Sequence, residues 1–70
     1  MSRFEVAYAQ ALTEDYKLNP SDYIHSLDRA IEIEMDNVKR GLSRKDSRPM
    51  LRACELLGIG NSYKEIKDEL

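Results

Sequence analysis

The chain predicts an all-α fold: a small three- or four-helix domain with a long central helix and a helix-turn-helix-like pair at its carboxyl end. Three observations predict it. Apolar residues recur at three- and four-residue steps over most of the length. Serine or asparagine stands where each periodic stretch begins, as helix N-caps do. The three glycines and two prolines fall at or beyond the ends of those stretches.

The first helix is expected over about 2–16. Ser2 and Glu5 have capping-box spacing. Phe4, Ala7, Tyr8, Ala11 and Leu12 fall on one face, while Glu5, Gln10, Thr13 and Glu14 fall mostly elsewhere. The break follows at Leu18-Asn19-Pro20-Ser21-Asp22. Asn19 suits an N-cap with Pro20 at the first helical position, and Ser21 is the alternative cap. Asp22 then sits where a negative charge meets the positive helix end.

The second helix is expected over about 20–40. Ile24, Leu27, Ile31, Met35, Val38 and Leu42 step by three or four residues and form a narrow stripe. Arg29 with Glu32, and Asp36 with Arg40, are spaced for ion pairs along the opposite face. Lys39 and Arg40 suit the negative helix end, and Gly41 a left-handed stop. Such a helix would be ~30 Å long at ~1.5 Å per residue. That length exceeds the needs of a 70-residue monomer, so part of it is expected to face a partner. Ile33 points away from the stripe, among charges.

A basic loop, Ser43 to Pro49, leads to a third helix over about 48–57, with Asp46 or Ser47 as its cap. Met50, Ala53, Cys54 and Leu57 share its inner face, and Gly58 ends it. A short fourth helix is expected over about 62–69. Ser62 caps it, and Tyr63, Ile66 and Leu70 form its inward edge.

Seventy residues make one domain, 1–70. A chain this short buries only ~60% of its unfolded surface. One cysteine and one histidine allow neither an internal disulfide nor a structural zinc site. Oligomerisation or docking onto a larger partner is the usual remedy, so a homodimer or an obligate complex is expected. The net charge of −2, with acids and bases interspersed, is not that of a polybasic nucleic-acid binder. No apolar run approaches ~18 residues, and the start lacks the apolar segment of a secretory signal, so a reduced cytoplasmic setting is the simplest reading.

Ala53, Leu56, Leu57, Gly58 and Ile59, followed by a small polar turn, resemble the opening of Fis-type helix-turn-helix domains, over about a quarter of the chain. In that family the motif closes the chain after longer helices, as here. The resemblance implies DNA contacts from the second helix of the pair, where Lys64 and Lys67 stand; under a DNA-binding reading Arg44, Lys45 and Arg48 of the basic loop, with Asn61 and Ser62 of the turn, are the further candidate contacts. The departures are a turn one residue short and a last helix that mixes Lys64 and Lys67 with Glu65, Asp68 and Glu69, the wrong sign for a phosphate-lined groove. A plain corner of two helices closing a small core is the other reading.

Lys39, Arg40, Arg44, Lys45, Arg48 and Arg52 form a basic cluster that suits nucleic acid, an acidic protein surface, or no partner at all. Arg48 and Arg52 near a helix N-terminus are mildly unfavourable, which points to a partner for them. Glu32, Glu34 and Asp36 spread around a helix and read as a solvated face. His25 reads as a surface residue and Cys54 as a small core hydrophobe. No nucleophile–base pair, phosphate-binding glycine loop, metal set or cofactor motif is expected, and no catalysis. Tyr8 and Tyr63 fit core faces; Tyr16 and Tyr23 flank the Asn19-Pro20 corner and either pack there or form a contact patch.

The leading expectation is a non-catalytic interaction protein that occupies a protein partner's surface, through Tyr16, Tyr23 and Ile33, guided by Arg44, Lys45, Arg48 and Arg52. Small mixed-charge helical proteins of this style are common among accessory and inhibitory proteins of phages and mobile elements. The alternative is a dimeric helix-turn-helix DNA-binding regulator, paired through its second helix.

Overall fold

Four α-helices and one 3-10 turn make up the computed structural model, which describes residues 1–70 and contains no strand: α1 (Arg3–Leu18), a 3-10 turn (Pro20–Asp22), α2 (Leu27–Lys39), α3 (Arg48–Leu57) and α4 (Tyr63–Asp68). The central element is α1, not the second helix. It packs against both α2 and α3, while α4 leans on α2.

Alanine-rich and free of glycine and proline, α1 propagates readily once capped. Ser2 Oγ accepts from the Glu5 N–H at 3.1 Å and donates to the Glu5 carboxylate at 3.3 Å. Pro20 disfavours helical geometry at Asn19 (φ −136°, ψ 57°), and α1 stops there. Its inner face, Phe4, Ala7, Tyr8, Ala11 and Leu12, meets Met35 and Val38 of α2, Met50, Ala53 and Cys54 of α3, and Ile66 of α4.

The long second helix does not form. After the 3-10 turn, Tyr23 is extended (φ −115°, ψ 128°), and α2 starts only behind Ser26, whose hydroxyl accepts from the Arg29 N–H at 3.4 Å. Two hydrogen bonds hold the intervening chain against α1. The Tyr23 hydroxyl donates to Asp15, and the Tyr16 hydroxyl donates to the His25 carbonyl. These tertiary bonds override the helical periodicity. Asn19 therefore flanks a 3-10 turn and not a long helix. Ile24 and Leu42 leave the expected stripe: Ile24 is 90% exposed and Leu42 62%. The remaining 13 residues of α2 span ~20 Å, so the excess length from which a partner was expected is absent. The Arg29–Glu32 and Arg40–Asp36 pairs do form, at 2.7 and 3.4 Å.

Helices α2 and α3 stop on left-handed glycines, Gly41 (φ 71°) and Gly58 (φ 69°). Each closes with a Schellman pair of bonds. Gly41 N–H reaches Val38 O and Leu42 N–H reaches Asn37 O; Gly58 N–H reaches Glu55 O and Ile59 N–H reaches Cys54 O. Ser62 caps α4 by accepting from the Glu65 N–H at 3.2 Å. Ile66 is fully buried, but Leu70 is exposed and not on the inward edge. At the chain ends, Phe4 N–H meets Glu69 O at 3.5 Å and Arg3 pairs with Glu69 at 3.1 Å.

Candidate functional site

The basic cluster folds back onto the chain's own acids. Arg48 Nε donates to Asp15 Oδ1 at 3.1 Å, and its Nη2 bridges Asp15 and Asp22. Arg52 reaches Glu14 at 3.4 Å and Glu55 at 2.7 Å. Arg44 pairs with Asp46 at 3.6 Å. With Arg3, Arg29 and Arg40 also paired, all six arginines face a carboxylate within 4 Å. Lys17, Lys39, Lys45, Lys64 and Lys67 form no ion pair. The planar guanidinium fork suits fixed partners, and the flexible ammonium suits water. Arg48 and Arg52, unfavourable beside a helix N-terminus, thus have their neutralising partners on α1.

Asp15 organises this end of the molecule. It is 7% exposed and accepts from Arg48, from Asn19 Nδ2 at 3.2 Å and from the Tyr23 hydroxyl. The three donors satisfy a carboxylate that would be costly to bury bare. Its one mark in the sequence is its spacing: position 15 continues the 4, 7, 8, 11, 12 register of the core face. An acid in core register is the signal that would have found it.

Tyr16 and Tyr23 stack at 4.0 Å between ring centroids, 19° from parallel, with both hydroxyls bonded inside the chain. They build the corner, and neither offers a free hydroxyl to a partner. Ile33 is half-buried and stands among charges, with Arg29, Glu32, Asp36 and Lys39 around it. It lines an open cleft with Ile31, Met35 and Met1.

Among residues expected to touch DNA, Asn61 Nδ2 donates to the Lys45 carbonyl at 3.1 Å, and Ser62 is occupied as a cap. Lys45 Nζ lies 4.7 Å from the centroid of the Tyr63 ring, and the Tyr63 hydroxyl donates to the Ser43 carbonyl. Lys64 and Lys67 point to solvent on the six-residue α4, beside Glu65 and Asp68.

Two further openings matter. An apolar groove of about 380 Å³ runs between the start of α1 and the end of α3, lined by Met1, Val6, Ala7, Leu56 and Leu57. A polar cleft of about 530 Å³ lies between α2, the 42–48 loop and Tyr23. Glu34 lines the second. It is not on a solvated face: burial pushes its carboxyl above the ordinary range, partly offset by the Ser43 hydroxyl that donates to it. Burial, then the Glu65 carboxylate, pushes the Cys54 thiol up as well, which is opposite to what a thiolate nucleophile needs. His25 is exposed, in the extended stretch before α2 and not within a helix.

No cluster of His, Cys, Asp or Glu gathers in a form that could hold a metal ion, and no helix is long and apolar enough to cross a membrane. Comparison with protein-family models, with curated proteins and with solved structures returns no match to this chain.

Proposed function

We propose that this chain is a non-catalytic binding protein whose partner is another protein. The observation that carries this reading is the internal neutralisation of the arginines. Four of the residues that would have to grip phosphates, Arg44, Arg48, Asn61 and Ser62, already hold partners within the chain. A polyanion would have to break those contacts, and the acids of α4 would repel it. A protein partner needs none of this. It needs apolar area that is open yet held on rigid helices, and the α1/α3 groove offers Val6 at 54% exposure together with Leu56 and Leu57. Tyr16 and Tyr23 then hold the corner at the other end of α1 and do not contact the partner. A second copy of the chain is the first partner to test, since the core is thin for a domain that stands alone, with 13 of 70 residues buried.

A rival reading remains for the lysines. Lys39, Lys45, Lys64 and Lys67 are unpaired and could meet phosphates through a helix-turn-helix-like α3–α4 pair. Two measurements separate the readings. Light scattering and pull-down from native lysate should give a stoichiometric protein complex or a dimer that Val6→Asp disrupts. A duplex gel shift at ~50 mM salt, abolished by raising the salt and accompanied by no protein complex, would instead favour DNA.

A further inference from the structure

Tyr8 sets one site apart from the rest of the molecule. Three of the four tyrosine hydroxyls donate within the chain: Tyr16 to His25, Tyr23 to Asp15 and Tyr63 to Ser43. The Tyr8 hydroxyl bonds no protein group, although the residue is only 5% exposed. No fully enclosed side-chain oxygen or nitrogen lacks a partner, so the small exposed part of Tyr8 includes its hydroxyl. The opening it lines is the polar cleft shared with Glu34, Asn37 and Leu42.

Glu34 supplies the charge there. Its Oε1 accepts from Ser43, itself buried, and its Oε2 accepts from nothing in the chain. Three carboxylates of the lining, Asp22, Glu34 and Asp46, outnumber two guanidiniums, Arg44 and Arg48. Both guanidiniums are engaged, Arg44 by Asp46 and Arg48 by Asp15 and Asp22, and only Glu34 stands without a cationic partner. An anion would need to pull Arg48 from two acids. A cation needs to displace nothing. Leu42 and Pro49 line the same opening and give an alkyl chain apolar surface to lie on.

We propose that this cleft is a binding site for a primary alkylammonium group, held by the Glu34 carboxylate and the Tyr8 hydroxyl. The group has two sources, a lysine side chain of a protein or a free amine. An ammonium donates three hydrogen bonds, and Glu34 Oε2, Tyr8 Oη and the Asn37 side-chain oxygen are the acceptors at hand. The site does not depend on the α1/α3 groove, so either can fail without the other.

The test is an NMR titration of the full chain with n-butylammonium chloride, with the amide of Nα-acetyl-lysine, and with sodium phosphate as the anionic control. Both ammonium probes are expected to move the amide signals of Tyr8, Glu34 and Asn37, with a Kd on the order of a millimolar. Tighter binding of the lysine derivative assigns the site to a protein side chain, and tighter binding of butylammonium to a free amine. Glu34→Gln should weaken both about tenfold or more, and Tyr8→Phe by a few-fold, with circular dichroism showing the fold intact in each. The proposal is overturned if about 50 mM butylammonium, far above any useful affinity, moves none of these signals. It is equally overturned if Glu34→Gln binds as the wild type does, or if phosphate alone moves the signals.

Discussion

The two ends of the α1–α3 contact are built on opposite principles. At the carboxyl end of α1, Asp15 and Glu14 meet Arg48 and Arg52 at the start of α3, and every charge at the seam has a partner. At the amino end of α1, Val6 and Met1 face Leu56 and Leu57 across an open apolar groove. The helices are therefore antiparallel, with a polar clamp at one end and an uncovered hydrophobic mouth at the other. The clamp fixes how the helices cross, because charge-assisted hydrogen bonds tolerate little displacement. The mouth costs little to leave open and gains free energy whenever something apolar covers it. Orientation is thus fixed at one end of the helix pair, and apolar area is left uncovered at the other.

Substitutions at each end sharpen this contrast. Asp15→Ala should have the largest effect, since it strands three donors and loosens both the corner and the clamp. Urea unfolding should show a loss of about 2–4 kcal/mol. Arg48→Gln keeps some hydrogen bonding but leaves Asp15 without its cation, and a smaller loss than that of Asp15→Ala is expected by the same measurement. Tyr23→Phe should cost about 1 kcal/mol for the lost bond to Asp15, whereas Tyr8→Phe, whose hydroxyl bonds no protein group, should cost nothing measurable. A loss at Tyr8→Phe equal to that at Tyr23→Phe would show that the phenol is satisfied within the fold.

At the open end, Val6→Ser should change stability by less than about 0.5 kcal/mol yet reduce capture of a protein partner. Unchanged capture would move the binding surface elsewhere.

The smallest effect concerns pH. Glu34 has a folded-state pKa raised above its ordinary 4.5 by burial. The folded chain holds this proton more tightly than the unfolded chain does. Glu34 therefore opposes folding above its folded pKa, and the penalty fades as pH falls through that value towards 4.5. Glu34→Gln should be slightly more stable than the wild type at pH 7, and the difference should shrink towards pH 4.5 in thermal melts. A constant difference would mean that the carboxyl is as well solvated folded as unfolded.

The helices of the second half were legible because their stops and caps are local. Gly58 and Ser62 act within a few residues, so the turn between α3 and α4 could be read directly. The break before α2 was not legible, because its cause lies elsewhere in the chain. Nothing near Ile24 forbids a helix; Tyr16 and Asp15, on the preceding helix, capture the segment through His25 and Tyr23. The basic cluster was visible as a composition, but its neutralisation by α1 required the tertiary fold. Spacing alone cannot say whether an arginine looks inward or outward. The Glu34–Tyr8 cleft was hidden for the same reason, since its two groups come from different helices.

The division of the cations has a practical side. Reagents that cap primary amines would meet five side chains that hold no carboxylate, and acylated protein should keep its shape while its net charge grows more negative than −2. Dicarbonyls that attack guanidines would instead find each target engaged, and reaction at Arg48 would prise two helices apart. Attachment to a surface or a dye is therefore safest through the lysines, with Lys45 the slowest to react because its head rests on an aromatic ring.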